Sequence, residues 1–477
     1  MAEEVWMLQT KKADFKQIGA RFRIDPVTAR IIRNRGIEGE AAIDRYLNGT
    51  LDDLYDPMLL KDMERAVSIL CEAVDTGKKI RIVGDYDIDG VCSTYILLQA
   101  FERLGSDVDF EIPDRIKDGY GINESIIEQA HADGVEVILT CDNGISAFHQ
   151  VELAKKYGMT VVITDHHEVP LDGEKEKIPP ADAVIDPKQA DCPYPFPEIC
   201  GAVVAYKLVQ VLYARRGVPQ MEWLDLLEFA AIATVGDVMK LQDENRILVK
   251  YGLKKMAQTK NLGLRRLAEK NNLDLGAITA YHIGFVIGPC LNAGGRLKTA
   301  KEALALLRAQ SEEEAERLAE ELKELNDTRK DMTEQGTEAA KLQVESWYQK
   351  DKVLVVFLPE CHESLAGIIA GRLREYYQKP AIVLTRGEEA VKGSGRSIDE
   401  YHMFKKLTEV SDLLLKFGGH PLAAGLSLEE KNIDEFRRRL NENAGLTEED
   451  FKAKVWIDVP MPVGYVTERL VRELWTG

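Results

Sequence analysis

Four short apolar runs, each ending on an acidic or imidazole cluster, constrain the fold of this chain more than any other feature. Ile80-Arg81-Ile82-Val83-Gly84 leads into Asp85-Tyr86-Asp87-Ile88-Asp89-Gly90. Val135 to Cys141 leads into Asp142-Asn143-Gly144, and Val161 to Thr164 leads into Asp165-His166-His167. Ala230 to Gly236 leads into Asp237. Read as strands, these runs place every cluster at a carboxyl end, where open α/β sheets bind their ligands. Carboxylates gathered at one edge repel each other, and bound divalent cations are the natural remedy.

The segments between the runs fit this reading. Helices are expected over 92–104, 123–132 and 147–157, with a further strand over 108–112. Strands alternating with amphipathic helices predict an α/β fold, a parallel sheet with flanking helices. Residues 1–75 read as helical and polar, and 201–257 and 259–308 as mainly helical. A charged, proline-free stretch from 302 to 348 suits a long helix joining two domains. Beyond it, strands over 353–357 and 381–384 flank a helix over 364–377, while 393–397 and 418–420 read as glycine-rich loops. At 477 residues the chain is long enough for two or more cores.

Bulk composition excludes some classes. The net charge of −18 argues against a nonspecific nucleic-acid coat but leaves room for a local basic groove. Seven scattered cysteines without a Cys-x-x-Cys pair exclude a zinc ribbon and a secreted disulfide framework. No secretory signal and no membrane-length apolar run is visible, so the expectation is a cytoplasmic protein.

Asp85, Asp87 and Asp89 would share one face of an extended segment, an unfavourable arrangement without a cation. An EF-hand loop is excluded, because Ile96 occupies the twelfth position. Two adjacent histidines behind Asp165 suggest one ligand and one supporting or acid–base group. Mixed Asp and His ligands suit Mn²⁺ or Mg²⁺, and two such ions can clamp a phosphate for in-line attack. Arg115, Arg296, and Ser394 with Arg396 in their glycine loop are candidate anion holders; His420 is either a phosphate ligand or a loop histidine.

These motifs, with the late Gly418-Gly419-His420, resemble the DHH phosphoesterase superfamily, and within it the bacterial single-strand-specific 5′→3′ exonucleases. The resemblance runs from about Ile43 to Leu428. It implies a DHH-type sheet joined by a long helix to a smaller second α/β domain. It implies Asp87, Asp89, Asp142, His166 and Asp237 as ligands of two Mn²⁺ or Mg²⁺ ions. Asp85, Asp165 and His167 are implied as catalytic neighbours, and Arg115, Arg296, Ser394, Arg396 and His420 as substrate contacts. The implied regions are an N-terminal helical region packed on the first domain (1–75), the catalytic domain (76–300) and a connecting helix (301–349). A substrate-binding domain (350–445) and the start of a linker or barrel (446–477) complete the expectation, the chain ending before an oligonucleotide-binding barrel. The implied activity is metal-dependent release of 5′-mononucleotides from single-stranded DNA in repair and recombination. Implied partners are 5′-phosphorylated single-stranded DNA, a single-strand-binding protein and a RecQ-like helicase, and the implied state is a monomer. Cys290 stands where the family often has Arg, implying weaker backbone contacts, and Gly236 where Ala is usual. Alternatives are a phosphodiesterase of short oligonucleotides, a pyrophosphatase, or a non-catalytic DNA-binding scaffold.

Overall fold

Buried Val/Ile/Leu runs form a five-stranded parallel sheet in the computed structural model, which describes residues 4–117 and 119–476. In spatial order the strands are Val108–Glu111, Ile80–Val83, Val137–Cys141, Thr160–Thr164 and Ala183–Ile185. This is the 2-1-3-4-5 order of a doubly wound sheet, whose direction of winding reverses between the first and third strands in sequence. Ile80–Val83 and Val137–Cys141 are buried throughout, as strands covered on both faces must be. Arg81 is tolerated there because its guanidinium is paired with two carboxylates, with two bonds to Asp109 (2.7 and 2.8 Å) and one to Asp133 (2.8 Å).

The helices start where capping side chains allow. Asp87 caps Ile88–Arg103 through the amides of Asp89 and Gly90, and Asn123 caps Glu124–Ala132. Ile88–Arg103 packs against Gly201–Arg216 and Leu227–Gly236, all three largely buried. Leu227–Gly236 corrects the expectation of a strand before Asp237. Its Ala-rich run has high helix propensity, and short all-round apolar runs carry no period that separates helix from strand.

The sheet belongs to a unit spanning Gly39–Asn326; the other unit comprises the described residues of Met1–Glu38 and Asp327–Gly477. The helix Glu312–Gln343 runs unbroken through the boundary. The second unit holds a mixed sheet in the order Leu414–Gly419, Ala423–Leu428, Val391–Arg396, Ala381–Arg386, Leu354–Phe357. Only the last two strands pair in parallel. Two expectations change here. The glycine-rich 393–397 segment is mostly strand, because a Cβ at Gly393 would approach Leu384 Cδ2 to 2.5 Å and only glycine lets the sheet face pack so closely. Residues 1–75 are not one helical region. Glu4–Leu8 is a strand paired in parallel with Ala453–Ile457, so residues 4–38 and 39–75 fall in different units. Among the described residues no helix is long and apolar enough to cross a membrane.

A buried ion pair anchors the start of the first unit. Lys207 Nζ lies 2.9 Å from Glu244 Oε1 and 3.0 Å from the Tyr55 carbonyl, while Glu244 accepts from the Tyr55 amide and the Tyr194 hydroxyl. Burial pulls the Lys207 ammonium below the usual lysine range, and the Glu244 contact opposes that. Removing one partner strands a buried charge. Lys207→Met should lower the unfolding free energy by about 3–5 kcal/mol in urea titrations; an unchanged midpoint would show that the pair contributes nothing net.

Candidate active site

Sheet register aligns the acidic groups. Cys141 pairs with Thr164 and Thr164 with Ile185, so Asp142, Asp165 and Asp186 are each the first residue past their strand. Val83 pairs with Thr140, which puts Asp85 level with Asp142. Four aspartates therefore stand in a row across four adjacent strands at the carboxyl edge, spanning the switch point. All four are at most 2% exposed. The backbone ladder extends into the row, with Asp142 N donating to Thr164 O (3.1 Å) and Asp165 N to Ile185 O (3.0 Å).

Asp142 adopts left-handed backbone (φ 61°), unusual for a residue other than glycine. Its side chain is pressed against Gly201, where a Cβ would lie 2.7 Å from Asp142 Cβ. Only glycine fits there, and it lets the start of Gly201–Arg216 close on the site. The amides of Gly201 and Ala202 each donate to Asp89 across 2.7 Å, so a helix N-terminus holds that carboxylate in place. Asp89 is thus on the first turn of its own helix rather than on an extended face with Asp85 and Asp87.

Around this row three overlapping groups of donor atoms form among the described residues, one of them Asp142, His166 and His167. Asp85, Asp87 and Asp142 offer oxygens within 4.8 Å of one another, and so do Asp89, His166 and Asp237 in oxygens and nitrogen. His166 links the sets, its Nε2 lying 3.1 Å from Asp142 Oδ1, 3.5 Å from Asp89 Oδ2 and 3.9 Å from Asp237 Oδ2. Burial pushes the Asp85 carboxyl up to about 8, with Asp87 adding repulsion. Burial and then Asp89 push Asp237 to about 7, and Asp142 is raised for the same reasons. Burial lowers His166 below the ordinary histidine range, leaving a neutral imidazole able to act as a ligand. Asp142 Oδ1 is buried and accepts no hydrogen bond. Oxygen donors with one neutral imidazole and no thiolate fit hard divalent cations.

His167 differs from its neighbour. Its Nδ1 bonds Asp165 Oδ1 at 2.8 Å, and the Tyr120 hydroxyl lies 3.0 Å from Nδ1 and 3.2 Å from Nε2. Burial disfavours its charge, but Asp165 overrides this and lifts it to about 9. Asp165 is itself fixed by the amides of Ile145, His166 and His167. It orients the imidazole and is not offered to a ligand.

Comparison with known proteins agrees with this geometry. Residues 79–234 match the DHH family N-terminal domain and 350–445 the DHHA1 domain. A Haemophilus influenzae protein, the single-stranded-DNA-specific exonuclease RecJ, is 35% identical over 92% of this chain and 79% of its own length. This chain belongs to the RecJ family. The Bacillus subtilis RecJ is 37% identical over 98% of this chain, which spans 59% of that relative. The crystal structure of RecJ from Thermus thermophilus in complex with Mn²⁺ superposes with a TM-score of 0.83 at 29% identity, covering 99% of this chain and 67% of that one. The same protein has been solved with Mg²⁺.

The remaining expected RecJ residues divide between the units. Arg115 and Arg296 both act on Tyr86, between Asp85 and Asp87. Arg115 lies over the Tyr86 ring at 4.7 Å, and a Cβ at Gly295 would touch the Tyr86 carbonyl at 2.4 Å. Asp118, in the Arg115 loop, lies outside the described residues. Ser394 and Arg396 share a face of Val391–Arg396 in the other unit, beside Gly367. His420 follows Leu414–Gly419 there, its amide bonded to Ala423 O at 2.7 Å. Cys290, at the position where Arg is often found in the family, is fully buried and accepts from Asn326 Nδ2 at 3.4 Å, so its thiol is a core group. Asp186 was not expected as a site residue, although Ala183 to Ile185 followed by Asp repeats the signal of the other strands. Burial and then Asp165 lift its carboxyl to about 7.

Gly236 is explained by Ile88, whose Cγ2 would lie 2.5 Å from a Cβ there. This contact sets the spacing between the Asp87–Asp89 turn and Asp237. Gly236→Ala should cost about 1–3 kcal/mol of stability by overpacking, and less than half as much in an Ile88→Ala background. Additive losses in a double-mutant cycle would refute the contact. For the carboxylates, Mn²⁺ should raise the melting temperature of the wild type, by the equivalent of about 2.7 kcal/mol at 100-fold excess over Kd. Asp142→Asn should melt higher than wild type in chelator, because it removes a carboxyl whose ionisation burial and its acidic neighbours oppose, and should gain little from Mn²⁺. A wild-type-like Mn²⁺ response would exclude Asp142 as a ligand.

Proposed function

We propose that this chain is a divalent-metal-dependent exonuclease that hydrolyses single-stranded DNA from the 5′ end and releases 5′-mononucleotides, with a role in repair and recombination. The observation that carries the reading is the pair of adjoining ligand sets at the sheet edge, with Arg115 and Arg296 beside the same Asp85–Asp89 turn. RecJ relatives named as single-stranded-DNA-specific exonucleases, and solved with Mn²⁺ and Mg²⁺, support the substrate class and the metal.

Asp85, Asp87 and Asp142 would hold one ion, and Asp89, His166 and Asp237 a second. Such ions supply a water of lowered pKa and stabilisation of charge on the phosphate and its leaving oxygen. Asp85 and Asp87 orient the first site from the turn before a helix, so the N-terminus of Ile88–Arg103 also faces the anion. His167, protonated through its bond to Asp165, presents a donor to a phosphate oxygen or to the departing 3′ oxygen. Asp165 keeps that imidazole charged and oriented, and Tyr120 steadies it through its own bond to the Asp142 carbonyl (2.7 Å). Arg115 supplies a cation for the terminal 5′-phosphate, with its guanidinium stacked on Tyr86. Ser394 and Arg396 offer a hydroxyl–guanidinium pair suited to a phosphate, and Arg296 and His420 contact the strand.

The test compares 5′-labelled single strands, 3′-labelled copies and the matching duplex, with Mn²⁺, Mg²⁺ or chelator. Metal-dependent release of mononucleotides from the 5′ end of single strands alone is expected. Asp142→Ala should abolish it, and His167→Ala should lower kcat by about 10²–10⁴-fold. Arg115→Ala should reduce the preference for a 5′-phosphate over a 5′-hydroxyl. Turnover of di- to pentanucleotides without cutting of long strands would replace this reading with a short-substrate phosphodiesterase.

A further inference from the structure

Tyr281, Phe285 and Val238 stand in solvent beside the metal site, 63%, 67% and 87% exposed. Single exposed apolar residues are ordinary, whereas a group of them at the rim of a site marks a contact surface. The Tyr281 and Phe285 rings stack on one another, with centroids 4.8 Å and planes 27° apart. The stack stiffens the pair and still leaves most of both rings open.

One helical run places the two rings. Ala280–His282, the π-helical turn Ile283–Ile287 and Gly288–Leu297 follow each other without a break. Ile283, Ile287, Cys290 and Leu291 face the core. Glycines bring the run against each ligand turn. A Cβ would lie 2.4 Å from the Tyr86 carbonyl at Gly295, 3.3 Å from Ile88 Cδ1 at Gly288 and 3.7 Å from Val235 Cγ1 at Gly284. Tyr86 and Ile88 flank Asp87, and Val235 precedes Asp237 by two residues. The run therefore passes from Arg296, beside the Asp85–Asp87 turn, to Phe285, beside the Asp237 turn, over roughly 16 Å at 1.5 Å per residue. π-Helical turns are frequent at functional sites.

Val238 is held against its own preference. Its φ of 58° is left-handed backbone, which a β-branched residue adopts only at a cost. Its amide donates to Val235 O at 3.1 Å, so Val238 stems from the same turn that packs on Gly284, next to Phe285. Packing gives no reason for a valine there, since the side chain is almost wholly in solvent. Lys240, exposed two residues further on, makes no ion pair among the described residues.

We propose that Tyr281, Phe285 and Val238 form a platform on which the bases of a single strand stack downstream of the scissile phosphate, with Lys240 meeting its backbone. Every base has a π-face, so such a platform holds a strand without choosing its sequence. The strand would run from a 5′-phosphate at Arg115, across the ligand sets, to the rings. In a duplex the base faces are already stacked on each other, so the platform also favours single strands. The proposal rests on the exonuclease reading for its substrate and adds how the strand is gripped beyond its first nucleotide.

Fluorescence anisotropy of the full chain with a labelled single strand, in chelator to prevent cutting, tests it. Phe285→Ala should weaken binding by about tenfold, as for loss of one base–aromatic stack, while Phe285→Trp should keep it. The wild type should bind a strand made abasic beyond its 5′ nucleotide about tenfold more weakly than the intact strand. Phe285→Ala with Tyr281→Ala should bind intact and abasic strands alike. Lys240→Ala should weaken both strands by the same factor. Val238→Gly should melt no lower than the wild type, because glycine adopts that φ freely, and yet bind the strand more weakly. Unchanged affinity in folded Phe285→Ala would overturn the proposal and leave the surface to a protein partner. A double variant that still prefers the intact strand, or Val238→Gly binding as the wild type does, would overturn it too. Mononucleotide release in Mn²⁺ is read separately. Strand binding through these residues without cutting would sink the exonuclease reading alone, and cutting with no loss of strand affinity in the variants would sink the platform alone.

Discussion

Electrostatic repulsion along one sheet edge is the constraint around which the first unit is built. Asp85, Asp142, Asp165 and Asp186 end four neighbouring strands, and strands lie about 4.8 Å apart. Two unit charges at about 5 Å repel by roughly 3 kcal/mol even at an effective dielectric constant near 20. The fold answers each carboxylate differently. Asp165 is neutralised locally by three amides and His167. Asp89, just behind the row, is met by the start of a helix. Asp85 and Asp142 lack such compensation and are held toward their neutral forms, a cost of ionising that a bound divalent cation would remove. Asp165, compensated locally, is suited to orient its neighbour, whereas Asp85 and Asp142 are left open to a ligand.

Much of this was legible in the sequence because parallel strands covered on both faces are near-continuous apolar runs, and the acidic residue after each run is easy to see. The acidic strand ends and the two histidines could be named from that pattern, the ligand set was implied by the family resemblance, and the long helix was legible in its charged, proline-free stretch. What failed had physical causes. Ala230 to Gly236 is apolar on all sides, so no period told helix from strand. Gly393 and Gly395 look like loop residues but are strand positions where Leu384, Leu426 and Met403 leave no room for a Cβ. The pairing of Glu4–Leu8 with Ala453–Ile457 joins the two extremes of the chain, which local patterning cannot reveal. Asp186 also follows an apolar run, but a run of only three strand residues gives a weak strand signal.

The two histidines show how burial assigns roles to identical side chains. His166 is enclosed among carboxylates yet loses its charge to desolvation, so it faces them as a neutral donor atom. His167, half exposed, keeps its proton through one bond to a buried carboxylate. Adjacent positions in sequence thus present one imidazole suited to be a ligand and one suited to be an acid. The Tyr120 hydroxyl, bonded to the Asp142 carbonyl and close to the His167 ring, joins the acid to the metal-facing turn.

Register also governs how this site can change over evolutionary time. Because side chains alternate across a strand, adding or deleting one residue within Val137–Cys141 or Thr160–Thr164 would turn the terminal aspartate to the opposite face. Conservative substitutions along those strands leave the row intact, whereas a single-codon insertion dismantles it. The surface hairpin of Leu171–Asp172 and Lys175–Glu176 escapes this limit, since its length does not feed into the edge. Length variation should therefore accumulate in the hairpin and the strands should stay frozen in length while drifting in composition, making the sheet a ruler inherited whole.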